Sequence, residues 1–124
     1  MKQALFMEAE YVDDVLVIRP MGTFNCWQLP TIKAIIGTYL HSTTKPQIII
    51  NLKHVRFVDT PTFAQLYNWL TIARRYHGDV KLCAVSQTVH NLMFAQDLDL
   101  MFDIHAEETF AMTSFTQGIF PHTA

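Results

Sequence analysis

The stretch Ile48-Ile49-Ile50-Asn51-Leu52-Lys53-His54-Val55-Arg56-Phe57-Val58-Asp59-Thr60-Pro61-Thr62 decides the fold. Its first five residues are nearly continuous in apolar and β-branched side chains, the pattern of a central strand covered on both faces. The following residues read as a short turn that delivers Asp59 and two hydroxyls onto a helix. Thr60-Pro61 is the start signal: Thr caps well, and Pro is favoured at the first helical position, where its missing N–H costs nothing. A strand end that runs into a helix start is where α/β domains place functional groups. The first helical N–H groups have no intrahelical partner and can receive an anion or a partner's carboxylate.

Outward from this junction the chain reads as alternating strands and helices. Upstream, Val15-Leu16-Val17-Ile18-Arg19-Pro20 follows the Asp13-Asp14 turn signal and pairs as a hairpin with the segment around Tyr11-Val12. Gly22 breaks that pattern. Leu29, Ile32, Ile35, Ile36, Tyr39 and Leu40 then fall at helical spacing, with Asn25 as the expected N-cap. Downstream, a second helix runs from Pro61 to about His77, with Gly78 as its stop. Its apolar stripe is Phe63, Leu66, Tyr67, Leu70 and Ala73, while Ala64, Asn68, Thr71 and Arg75 face solvent. Trp69, Ile72 and Tyr76 form a second strip on the flank, readable as an interface or as the edge of the core. Val80 to Val85 is a further buried strand, Ser86 caps a third helix through about Gln96, Met101 to Ile104 is a short last strand, and Glu107 to about Ser114 a fourth helix. The tail from Phe115 carries Ile119 and Phe120, expected to dock on the body or in a dimer contact. This order implies an α/β fold, a mostly parallel sheet of about five strands against about four helices. One domain over residues 1–114, with a tail over 115–124, suits the length.

Composition narrows the function. Half of the residues are hydrophobic and 16% charged, the balance of a folded domain. The net charge is −2, and no run concentrates basic residues as a nucleic-acid footprint does. The apolar runs are far shorter than a bilayer span, and the N-terminus carries no signal-peptide pattern, so a cytoplasmic protein without direct membrane insertion is expected. Cys26 and Cys83 fit a reducing compartment, with Cys83 in the core.

No pair of the six histidines stands at the i, i+4 spacing of a helical zinc site, and two isolated cysteines add none, so no metal and no cofactor is expected. There is no nucleophile elbow or glycine-rich phosphate loop, and no histidine stands at a motif spacing that would activate a hydroxyl. An enzyme is not expected. Asp59 reads either as a recognition carboxylate or as a turn residue bonding nearby N–H groups, and one residue can do both. Thr60 is already explained by capping.

These landmarks together resemble the STAS domains, named for sulphate transporters and anti-sigma factor antagonists. Val15 to Gly22 is similar to the family's second strand and glycine, Ile48 to Asp59 to its central strand and turn, and Leu82-Cys83-Ala84-Val85-Ser86 to its next strand and helix cap. The nearest likeness is to stand-alone bacterial anti-sigma factor antagonists. That resemblance implies a protein partner, a kinase-like anti-sigma factor, bound without chemistry by Asp59, Thr60, Pro61, Thr62, Asn25, Ala64 and Asn68; a homodimer stays open. In the family the turn reads aspartate, hydroxyl, phosphorylated hydroxyl, glycine. Here Asp59 and Thr60 match the first two, Pro61 stands at the phosphoacceptor and Thr62 at the glycine. Proline has no hydroxyl, so the usual switch cannot work there, and Thr60 or Thr62 are the substitutes on offer. Asn25 stands where the family commonly has an acidic residue. The alternative is a scaffold or accessory subunit of a stress-signalling complex or a transporter ATPase. A third possibility is a nucleotide or phosphate at the helix N-terminus.

Overall fold

The computed structural model describes residues 7–116. In chain order these are β1 (Met7–Val12), β2 (Val15–Phe24), α1 (Leu29–Ser42), β3 (Gln47–Asn51), β4 (His54–Val58), α2 (Thr60–Arg75), β5 (Asp79–Cys83), α3 (Gln87–Ala95), β6 (Asp103–His105) and α4 (Glu108–Thr116). β1 and β2 form an antiparallel hairpin across two residues, Asp13 and Asp14, at φ +50° and +68°. Two consecutive positive φ angles match the right-handed twist of the strands, and aspartate tolerates them better than most residues. All other pairings are parallel, in the order β1-β2-β3-β5-β6, with β4 also on β2.

The sheet has six strands rather than about five, because residues 54–58 form a strand where the sequence reads as a turn. β3 and β4 act as one interrupted strand along β2. Leu16 pairs with Ile48 and Ile18 with Ile50, but Met21 pairs with His54 and Phe24 with Val58. The β3–β4 side has gained one residue near Leu52-Lys53 and another at Arg56. Such insertions bend a strand and break its alternation. Leu52, Val55 and Val58 therefore all face the core at spacings of three, which hides the strand from a period-two reading.

α1, α2 and α3 cover one face of the sheet. Ile32 and Ile36 of α1, Phe63, Leu66 and Leu70 of α2, and Val89 and Met93 of α3 pack on Leu16, Ile18, Ile48, Ile50, Val80 and Leu82. Among the described residues α4 alone covers the other face, on a smaller cluster of Val15, Val17, Ile49, Cys83 and Ala111. Its first turn is fixed by a fork: Arg19 donates from Nε and Nη2 to the two carboxylate oxygens of Glu108 at 2.9 and 2.8 Å, and Asn51 Nδ2 donates to the same group at 2.8 Å. Phe115 lies within α4 and packs on this cluster, so the helix passes the expected boundary at residue 114. The expectation for Ile119 and Phe120 falls outside the described residues.

Two local expectations change. α2 stops through His77, at φ +67°, with the His77 N–H donating to the Arg74 carbonyl and the Gly78 N–H to the Ala73 carbonyl. Gly78 is needed for room instead: a Cβ there would sit 1.7 Å from the Pro46 carbonyl oxygen. On α2, Trp69 is buried and belongs to the core, whereas Tyr67 is half exposed. Ile72 and Tyr76 line a groove of about 520 Å³ with Leu40, His41 and Pro46, at the opposite end of α2 from Asp59.

Candidate functional site

The C-terminal ends of β2, β4 and β5 meet the N-terminal ends of α1, α2 and α3 at one pole of the sheet. There α2 is capped by Asp59, not by Thr60: Asp59 Oδ1 accepts from the Thr62 N–H at 3.1 Å, three residues on. Aspartate here satisfies one of the unpaired donors and places a negative charge at the positive end of the helix. The other oxygen, Oδ2, accepts from the Cys26 N–H at 3.1 Å, so the same carboxylate ties the loop after β2 to the start of α2. Partial burial pushes the carboxyl of Asp59 up, but the hydrogen bonds from Thr62 and Cys26 outweigh it and hold it below the usual range.

Asn25 does not cap α1. Its Oδ1 accepts from the Trp27 N–H at 3.0 Å, and Gln28 Oε1 accepts from the Asn25 N–H at 3.0 Å, which closes a local turn. α1 begins at Leu29 after Gln28, with no side-chain cap and with Pro30 in its first turn. The loop leaves Trp27 86% exposed, one residue from the Cys26 amide that binds Asp59. Neither composition nor periodicity marks Trp27; its position in a tight turn between two anchored residues does.

The residues named from the sequence divide into two groups. Thr60, Pro61, Ala64 and Asn68 are exposed, and Pro61, Ala64, Asn68, Thr71 and Arg75 continue as one solvent-facing row along α2. Asp59 and Asn25 are half-buried beside the start of that row. Thr62 is 0% exposed, so it offers neither a contact nor an acceptor hydroxyl while the helix holds. Its Oγ1 lies beside Asp59 and helps lower that carboxyl, yet completes no hydrogen bond of ordinary geometry. Thr62 thus leaves the candidate surface for a steric reason: the third helical residue points into the core. The third helix is capped as expected, with Ser86 Oγ accepting from the Val89 N–H at 3.2 Å.

A fold of one mixed sheet, with three crossover helices on one face and an Asp-capped α2 at the strand ends, is matched across residues 6–111 by the family model described as the STAS domain. The chain belongs to the STAS domain family. Among solved structures, SpoIIAA of Bacillus in its unphosphorylated form, an anti-sigma factor antagonist, is similar at 23% identity and a TM-score of 0.78, covering 92% of this chain and 98% of that one. A STAS domain protein from Planctomyces limnophilus is similar at 14% identity and a TM-score of 0.77, covering 87% of this chain and 96% of that one. A sulfate transporter family protein from Wolinella succinogenes is similar at 12% identity and a TM-score of 0.68, covering 84% of this chain and 86% of that one. No curated protein sequence matches the chain. At these identities the solved structures carry the fold. Among the described residues no three His, Cys, Asp or Glu side chains come together as a metal-holding group, and no helix is long and apolar enough to cross a membrane.

Proposed function

We propose that this STAS domain is a non-catalytic interaction module of the anti-sigma factor antagonist kind. It acts in the cytoplasm by holding a kinase-like anti-sigma factor on the α2 row, and it does so without the phosphorylation switch of that kind. The observation that carries this reading is the exposed Pro61 in the second helical position, with Thr62 buried behind it. Proline supplies neither a hydroxyl to accept a phosphoryl group nor an N–H, and it stiffens the first turn. The surface Asp59, Thr60, Pro61, Ala64 and Asn68 is therefore held in one state. SpoIIAA is also solved in a phosphorylated form, and the reading takes Pro61 to stand at the family's acceptor position, as the family resemblance implies.

The exposed Thr60 hydroxyl supports a second reading, an accessory or scaffold subunit of a stress-signalling complex or a transporter ATPase, switched through Thr60. One experiment separates the two. The full chain and its Pro61→Ser variant are incubated with ATP and the kinase-like regulator of the host, and the masses of the Asp59–Thr62 peptides are compared. The antagonist reading expects an unmodified natural peptide and a singly phosphorylated variant. Phosphate on Thr60 of the natural chain favours the second reading, and an unmodified variant counts against the first.

A further inference from the structure

The groove at the end of α2 away from Asp59 has a volume of about 520 Å³, within the ~300 to 1,000 Å³ usual for ligand clefts. Its walls are Leu40 of α1, Pro46 ahead of β3, and Ile72 and Tyr76 at the end of α2. Among the described residues its lining holds no Asp, Glu, Lys or Arg side chain, so a charged partner meets no counter-charge there. Tyr76 is half exposed and Ile72 partly so, which leaves apolar area of the groove facing water.

The end of α4 arrives at the same edge of the sheet from the other face. α4 runs from Glu108, bonded to Asn51 at the end of β3, to Phe115, whose ring centre lies 4.7 Å from Lys81 Nζ. Lys81 Nζ in turn lies 3.5 Å from Asp79 Oδ2 at the start of β5. Asp79 Oδ1 accepts from Arg74 Nε of α2 at 3.0 Å, and the Asp79 N–H donates to the Pro46 carbonyl at 2.9 Å. Phe115 on one face is thus linked through Lys81 and Asp79 to Pro46 in the wall of the groove. Beyond Thr116 the sequence reads Gln117-Gly118-Ile119-Phe120-Pro121-His122-Thr123-Ala124. Ile119, Phe120 and Pro121 are consecutive, and the segment carries no Asp, Glu, Lys or Arg, which suits an apolar, uncharged groove. Gly118 is the residue type that ends a helix and lets the chain turn away. Pro121 biases Phe120 towards extended backbone, which lowers the entropy lost when that residue is held. Extended chain covers ~3.3 Å per residue, so Phe120 reaches about 13 Å beyond Thr116, enough to pass the sheet edge at Asp79.

We propose that residues 117–124 of this chain cross the sheet edge beside Asp79 and dock in the groove, with Ile119 and Phe120 against Leu40, Ile72 and Tyr76. The segment acts as an intramolecular strap. It joins the α4 face to the helical face and closes the groove to other partners, while the Asp59 pole at the far end of α2 stays clear. The inference goes beyond the interaction-module reading and stands without it.

The test is a set of nuclear Overhauser spectra of the isotope-labelled full chain. Contacts from the Ile119 methyls and the Phe120 ring to Ile72, Tyr76 and Leu40 are expected. A sample mixed from labelled and unlabelled chains separates contacts within one chain from contacts between copies. Phe120→Ala is expected to shift the Ile72 methyl and Tyr76 ring signals while leaving the Asp59 and Cys26 amides unmoved. Ile72→Arg, at a partly exposed position, is expected to return the amides of residues 117–124 to random-coil shifts. Random-coil shifts for those amides in the natural chain, contacts from Ile119 and Phe120 to another surface, or contacts found only between copies would each overturn the inference. So would Ile72 and Tyr76 signals indifferent to Phe120→Ala.

Discussion

On one face of the sheet three helices seal a broad apolar cluster that runs from Ile32 to Met93; on the other, among the described residues, a single helix, α4, buries Ala111 and relies on the Arg19–Glu108–Asn51 fork and a few flanking apolar side chains. The helical face derives its stability from apolar area and carries the exposed row of α2. The α4 face derives much of its geometry from charge. Glu8 and Glu10 add to the Arg19 side of the fork, and buried Lys81 lies 2.6 Å from Asp103 and 4.7 Å from the centre of the Phe115 ring. A buried charge is tolerated only where it is paired, and Lys81 meets that condition from both β6 and α4. The difference teaches where perturbation should be global and where it should be local.

The largest expected effect is on the helical face. Phe63→Ala empties a fully buried ring site beneath the start of α2 and should cost about 3 to 5 kcal/mol in urea denaturation. A loss below about 1 kcal/mol would mean that this face is not the main source of stability.

Glu108→Gln tests the other face at about 1 to 2 kcal/mol, since it removes a charge-assisted fork that is only partly shielded. Hydrogen bonding from Arg19 holds the Glu108 carboxyl below its usual range. Asp103 is held low as well, burial being outweighed by the hydrogen bonds from Lys81 and His105. A carboxyl depressed on folding stabilises at pH values above its unfolded pKa and loses that contribution as pH falls through the folded value. Stability should therefore be steady near neutrality and decline below about pH 4.5, the ordinary glutamate value, with a shallower decline in Glu108→Gln. A thiol reagent sharpens the contrast. Cys26 is exposed, while Cys83 lies under α4 with its thiol pushed up to about 12 by burial and by Glu108. One thiol should react at once, and Glu108→Gln should speed the second.

The smallest stability effect expected is at the candidate site. Asp59→Ala removes the cap of α2 and the tie to Cys26, at about 1 kcal/mol. Its larger consequence should be a mobile Trp27 loop, read as a change in Trp27 fluorescence without loss of the fold.

The alternation of elements and most of the core were legible in the sequence because hydrophobic periodicity reports burial directly. β4 was not legible, since two bulges replace alternation with the 52, 55, 58 spacing. On α2, counting Tyr67 in place of Trp69 turns the expected stripe by roughly 30° at 3.6 residues per turn, enough to exchange a buried and an exposed aromatic. The candidate surface was read from the sequence as the stretch from Asp59 to Asn68, of which the structure exposes Thr60, Pro61, Ala64 and Asn68. The division of labour within it was not, because whether Asp59 or Thr60 caps α2, and whether Thr62 faces in or out, depends on a one-residue offset of the helix start.

The most direct test of the central claim is affinity capture of the tagged full chain from its own host, beside its Asn68→Arg variant, with mass spectrometry of the retained proteins and of the Asp59–Thr62 peptide. The account predicts a kinase-like anti-sigma factor on the natural chain, an unmodified peptide, and loss of at least about nine-tenths of that partner with Asn68→Arg, as for truncation or blockade of an interface centre. Equal retention by the variant, or a phosphorylated Thr60 on the partner-bound chain, would contradict it.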